Sequence, residues 1–384
     1  METLTSGHEE ELSSPWLILP EHLMVKILQY LDIEDKFRAT AVCTYWRDCF
    51  QLPEVWRNIH FRFILYYKTE GYMSVLKMFG EYFVNLSIVF NQDRDEHIEN
   101  ACAVLSHLST LKENSLQSIN LELMGGSVFN EMRMRFMFAL RYFFNKNSPI
   151  NVRNISFKGI SQGFDDEIVD HIVSHKGNNI VSFSNWDPVC KVSPKSILVL
   201  SNKCLSLTRL EICYCCITEE LLNSFAQGSR TRLCFLGITC RADQPITSRI
   251  SSSAWKTLHH KSPDLRVSMK FERAFPSEKM LEIMQPEIPI SILWLMTNYK
   301  LSKDIDLLTD FYSNTLEEVV IVPSAFVDIK LGDVLIKMAR SCSNLKKLKV
   351  FGTMVQKSAI EKILTHLPGL KREHSANFFQ LSYS

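Results

Sequence analysis

Apolar residues along this chain follow two different periods. Between Trp16 and Trp56 the spacing is helical: Leu23, Ile27 and Leu31 recur every fourth residue, and Val25 and Leu28 widen the same face. Pro20 suits the first turn of that helix, where a missing N–H costs nothing. Asp32 predicts the N-cap of a second helix, with Glu34 and Asp35 in its first turn and Phe37, Ala41 and Val42 as its apolar stripe. Thr44 predicts the cap of a third, carrying Trp46 and Phe50. So short a set of helices buries too little surface to stand alone, and needs a partner or the domain behind it.

Beyond residue 80 the pattern becomes a repeat. Its clearest unit is Leu207-x-x-Leu210-x-Ile212-x-x-Cys215, followed by Ile217-Thr218 and Leu221-Leu222. Leu210 and Ile212 point inward from a short strand, Cys215 turns the chain, and Thr218 caps a returning helix that carries Phe225. Similar starts occur at Leu116, Val152, Leu233, Ile290, Leu316 and Leu345, with weaker ones near Ile180 and Leu265. Leu86-x-Ile88-x-Phe90 reads as the first strand and Leu367-Pro-Gly-Leu370 as a truncated last one. Several intervals lie at roughly 26–29 residues, a solenoid period. The longer interval from Leu116 to Val152 predicts an inserted loop or a longer helix. Strand and helix alternating at this period give an α/β fold, a curved solenoid of parallel strands. The chain therefore divides into a flexible N-terminus (1–14), a three-helix segment (15–60), a helical junction (61–82), the solenoid (83–372) and a C-terminal tail (373–384). Aromatic residues in the junction, Tyr66, Tyr67, Tyr72 and Phe79 among them, predict a packed rather than a flexible connection.

Charge and cysteine content narrow the function. Lysine and arginine total 43 and aspartate and glutamate 42, a net charge of +1, so no one-signed field favours nucleic acid. No apolar run reaches the length of a membrane span, and the first residues carry no apolar leader core. A cytoplasmic or nuclear setting is expected, in which the 11 cysteines stay reduced. They show no paired spacing for zinc, and no metal or cofactor is expected. Phosphate-binding loops, nucleophile elbows and zinc-protease helices are all missing from the sequence, so the chain reads as a binding protein and not an enzyme.

Leu19-Pro20, Ile27-Leu28, Tyr30-Leu31-Asp32, Glu34-Asp35, Arg38-Ala39, Val42-Cys43, Trp46 and Trp56 together resemble the F-box, and the units behind them resemble divergent leucine-rich repeats. The resemblance implies docking onto the adaptor Skp1, and through it onto cullin and a RING subunit of a ubiquitin ligase. It implies that Leu19, Pro20, Leu23, Ile27, Leu28 and Leu31 contact Skp1, and that the solenoid presents an as yet unknown protein substrate. The alternative is a scaffold that bridges partners without ubiquitination.

In each repeat the third and fifth positions face the concave side. Early units place Ser118, Asn120, Asn154 and Ser156 there, and later ones Arg209, Glu211, Phe235, Ile292, Trp294, Glu318, Val320, Lys347 and Lys349. Arg209, Phe235, Ile292, Trp294 and Val320 are the candidate substrate contacts, with Trp294 as the anchor. Two arrangements stay open: a free apolar patch, or one covered by the tail with Phe378, Phe379, Leu381 and Tyr383. Glu317-Glu318 and Lys346-Lys347 occupy matching positions, which predicts a ladder of opposite charges.

Overall fold

The computed structural model describes residues 19–382 other than 65–68, 126–130, 160–163, 187–190, 246–248, 273–274, 297–299, 323–328, 352–354 and 376–377. The N-terminal segment 1–14, Tyr66 and Tyr67 lie outside the described residues. Three short helices open the fold: α1 (Glu21–Tyr30), α2 (Ile33–Ala39) and α3 (Thr44–Phe50). Pro20 stands at the N-cap of α1, and its carbonyl accepts from the Leu23 and Met24 N–H groups. Asp32 caps α2 as expected, its carboxylate accepting from the Asp35 N–H at 2.9 Å. Thr44 is not a cap but the first residue of α3, because extended Cys43 takes the cap position. Ala41 and Val42 fall beyond the end of α2, in a turn closed by the Val42 N–H on the Ala39 carbonyl, and both are exposed.

Aromatic packing joins these helices to the solenoid. Trp56 is fully buried and stacks on Phe79 with ring centroids 4.3 Å apart and planes 6° from parallel. Phe50 meets the Trp56 edge at 4.9 Å, and the indole N–H donates to the Phe50 carbonyl at 2.8 Å. Phe79 belongs to the helix Thr69–Phe79, so the contact bridges the helical segment and the solenoid. Lys36 is also buried here, 2% exposed, with its ammonium 5.2 Å from the centre of the Trp56 ring. Burial lowers its pKa to about 8, against the opposing pull of Asp32.

One sheet runs through the rest of the described chain. Eleven parallel strands lie in sequence order: β1 (Asn58–Phe63), β2 (Asn85–Asn91), β3 (Ser118–Met124), β4 (Asn154–Lys158), β5 (Ser182–Trp186), β6 (Arg209–Cys213), β7 (Phe235–Arg241), β8 (Arg266–Glu272), β9 (Ile290–Met296), β10 (Glu318–Val322) and β11 (Lys347–Phe351). The first strand is therefore β1, within the ranges assigned by sequence to the helical segment and junction. Its Ile59, Phe61 and Phe63 alternate with exposed residues, the period of a half-buried strand. The tail forms an antiparallel hairpin, β12 (Lys371–Ser375) and β13 (Phe378–Ser382), and β13 pairs with β11. This places the hairpin at the sheet edge, with β10 and β11 between it and Trp294 in β9. It pairs the outer side of β11 and leaves β12 as the edge strand.

A repeated backbone contact sets the stacking. The carbonyl of Val84 accepts from the N–H groups of Gln117 and Ser118, that of Gln117 from Arg153 and Asn154, and that of Arg153 from Val181 and Ser182. Val181, Thr208 and Glu317 carbonyls repeat the arrangement. Inward residues such as Ile119, Leu121, Ile155, Phe157, Leu210, Ile212, Leu236 and Ile238 form the core between strands and helices. Thr218 caps its helix as expected, accepting from the Leu221 N–H at 3.1 Å. Glu318 pairs in register with Lys347, and the charged groups lie 3.1 Å apart.

Trp56→Ala is expected to cost about 3–5 kcal/mol in urea unfolding, as removal of a buried large aromatic does; an unchanged midpoint contradicts the stacked junction. Lys36→Met is expected to be more stable than the natural chain near pH 7, by roughly 1–3 kcal/mol. The advantage shrinks as pH rises from 8 to 10.5, where folded Lys36 has lost its proton and the unfolded side chain keeps it. Urea midpoints at both ends of that window check the sign, and an advantage that grows with pH contradicts it.

Candidate functional site

Two surfaces stand out. The first is the outer face of α1. Helical geometry divides its apolar residues between two sides: Met24, Val25 and Leu28 face the core, whereas Leu23 is 40% exposed and Tyr30 82% exposed. Leu19, Ile27 and Leu31 are half-buried and Pro20 is exposed. Val42, outside the helix, adds another exposed apolar side chain. Leu28, grouped by sequence with the partner-contacting residues, is 0% exposed and packs inside. Met24 takes an inward position that the four-residue spacing had not singled out. The face is held from behind: the Tyr45 hydroxyl donates to the Leu19 carbonyl at 2.6 Å, and the Gln29 amide to the Glu54 carbonyl at 2.8 Å.

The second surface is the concave side of the sheet. In-register pairing lines up Asn120, Ser156, Ser184, Glu211, Gly237, Ser268, Ile292 and Glu318 across β3 to β10. A second row, further along the strands, pairs Lys158 with Trp186 and Lys270 with Trp294. The register slips between Val267 and Ser268, and Ser268 comes level with Ile292. Repeat counting alone puts Trp294 level with Glu211 and Gly237, at the fifth position of its unit. The observed pairing puts Trp294 in the row of Lys270 instead.

These rows enclose a cavity of about 550 Å³. Arg209, Phe235, Ile292 and Trp294 all line it, so four of the five residues singled out by sequence come together. Val320 does not: it is 1% exposed, next to Trp294 in the register. Trp186, Gly237's neighbour Glu211, Lys270, Glu272 and Arg241 complete the walls and were not singled out as contacts. Position seven of each unit, which holds Trp186 and Lys158, also faces this side; counting only positions three and five passes over it.

Most of the charge here is spent inside the protein. Arg209 lies over the Phe235 ring at 3.8 Å and bonds the Glu211 carboxylate at 2.6 Å. Arg241 bridges Asp243 at 3.2 Å and Glu272 at 3.1 Å. Lys270 pairs with Glu272, and its ammonium sits 5.1 Å from the Trp186 ring centre and 5.3 Å from that of Trp294. Among the described residues no group of three or more His, Cys, Asp or Glu side chains is placed to hold a metal ion.

The F-box-like family model matches residues 16–62, which covers α1 to α3 and most of β1. F-box/LRR-repeat protein 21 of Bos taurus is 26% identical over 383 residues, covering 97% of this chain and 85% of its own length. The Mus musculus protein of that name is 25% identical, with 90% of this chain and 79% of its own length covered. F-box/LRR-repeat protein 8 of Homo sapiens is 22% identical over 94% of this chain and 95% of its own length. The chain thus joins an F-box-like N-terminal segment to a leucine-rich-repeat solenoid, the architecture that the names of these relatives describe.

A Cβ at position 237 would lie 2.7 Å from the Glu211 Cγ and 3.3 Å from the Phe235 ring. Gly237→Val is therefore expected to cost about 1–3 kcal/mol by crowding the Glu211 and Phe235 side chains. Urea midpoints measure this, and a stabilised variant contradicts the packing around Glu211 and Phe235.

Proposed function

We propose that this chain is the substrate-recognition subunit of a Skp1–cullin–F-box ubiquitin ligase. The observation that carries the proposal is the outer face of α1: Leu23 and Tyr30 are exposed apolar residues within the F-box match, on a helix whose other side is fixed to the core. A soluble surface leaves such a face open at a cost, unless a partner covers it. Leu19, Pro20, Leu23, Ile27 and Leu31 are the contacts assigned to Skp1, and Tyr30 and Val42 extend them. Leu28 acts from behind by holding the helix in place. The names of the relatives, F-box/LRR-repeat proteins, support the same role.

In this reading the chain has no catalytic residues of its own. Cullin and the RING subunit join through Skp1, and the solenoid brings a protein substrate to the ubiquitin-conjugating enzyme in the cytoplasm or nucleus. Acceleration then comes from proximity and orientation. The aromatic junction around Trp56 keeps the two binding surfaces in one geometry.

Leu23→Asp is expected to abolish co-purification with Skp1 while shifting unfolding by no more than about 0.5–1 kcal/mol, as an exposed substitution does. Leu28→Asp is expected to lose the fold of the segment itself, because it buries an unpaired charge. Retained Skp1 binding by folded Leu23→Asp overturns the assignment.

A further inference from the structure

The concave side carries more than one hollow. A smaller one, about 250 Å³, is lined by Ser118, Asn120, Asn154, Ser156, Ser182 and Ser184, and shares Trp186, Arg209 and Glu211 with the larger cavity. The two form one trench across the strands. Ser156, Ser184 and Ser268 lie in one register row along it, with Glu211 and Gly237 between Ser184 and Ser268.

Two observations define what fits. The first is a polar atom that lacks a partner. Ser184 is 5% exposed, its Oγ makes no hydrogen bond within the protein, and it lines the smaller hollow. A buried hydroxyl of this kind favours a ligand that supplies the missing partner. The second is the charge balance. Arg209, Arg241 and Lys270 are paired with acids within the walls, Lys158 is 2.6 Å from Glu122, and Glu318 is paired with Lys347. The aromatic faces that attract cations already hold Lys270 and Arg209. An anionic or phosphorylated ligand competes with the acids already paired to these cations, and a cationic one with the cations already on the aromatic faces.

We propose that the trench receives a neutral, unphosphorylated, extended segment of the substrate protein. One aromatic or large aliphatic side chain packs against Trp294, and a main-chain carbonyl accepts from the Ser184 hydroxyl. From β4 to β9 the strands span roughly 24 Å, which matches an extended segment of roughly seven residues. This rests on the substrate-receptor reading and gives it a chemical specificity.

The test uses the full chain bound to Skp1 and an array of synthetic peptides of about twelve residues, each made with serine and with phosphoserine. Neutral peptides sharing one aromatic or large aliphatic residue are expected to bind, and phosphorylation to weaken them. Trp294→Ala is expected to reduce affinity for the best serine-form peptide about tenfold, and Ser184→Ala, which removes only an oxygen, about threefold. Skp1 retention and the thermal midpoint are expected to stay unchanged in both. Preference for acidic, phosphorylated or basic peptides, no binding peptide at all, or full binding by folded Trp294→Ala and Ser184→Ala overturns the proposal. Because Skp1 retention is read separately, loss of peptide binding alone leaves the ligase assignment standing, and loss of Skp1 from the natural chain refutes that assignment instead.

Discussion

The stacking of Trp56 on Phe79 is the contact on which the rest of the architecture depends. The three N-terminal helices have little core of their own. Phe50, Trp56 and Phe79 lend them part of the solenoid's core through rings 4.3–5.7 Å apart. Without that contact the outer face of α1 and the concave trench have no fixed relation. With it, both surfaces belong to one continuous hydrophobic core. The cost of the arrangement shows in Lys36, whose stem packs into the same junction and whose ammonium is desolvated there.

The solenoid is shaped by register as much as by its apolar core. Single carbonyls that accept from two successive N–H groups of the next unit lock neighbouring strands at a constant level. The slip between β8 and β9 breaks that constancy once. Its effect is local and large: it sets Trp294 opposite Lys270, and Lys270 is then flanked by Trp186 and Trp294. Which side chains meet along the trench results from which residues share a level.

The sequence made the periodic features legible and left the relational ones hidden. The α1 helix, the Asp32 and Thr218 caps, the parallel strands and the Glu318–Lys347 pair all derive from spacing and from residue chemistry next to it. β1 carried its own alternation in Ile59, Phe61 and Phe63, but it fell inside a region read as helical. Leu28 and Val320 are buried, and spacing did not show it. Spacing shows that a residue belongs to an apolar stripe or a strand face; burial depends on what packs against it. Phe235 and Trp294 line the cavity, and their place on the concave side was legible because aromatic residues stand out there. Trp186 was missed because it lies one step further along a strand whose repeat pattern is weak. Ser184 has no signal in sequence, since its meaning comes from the lack of a partner inside the fold.

The most direct measurement of the two-surface account is hydrogen–deuterium exchange on the full chain with and without Skp1. The account predicts new protection in α1 and in the turn that carries Val42, with the strands β4 to β9 around the trench unchanged and still available. Protection centred on those strands, or no change in α1, would contradict it.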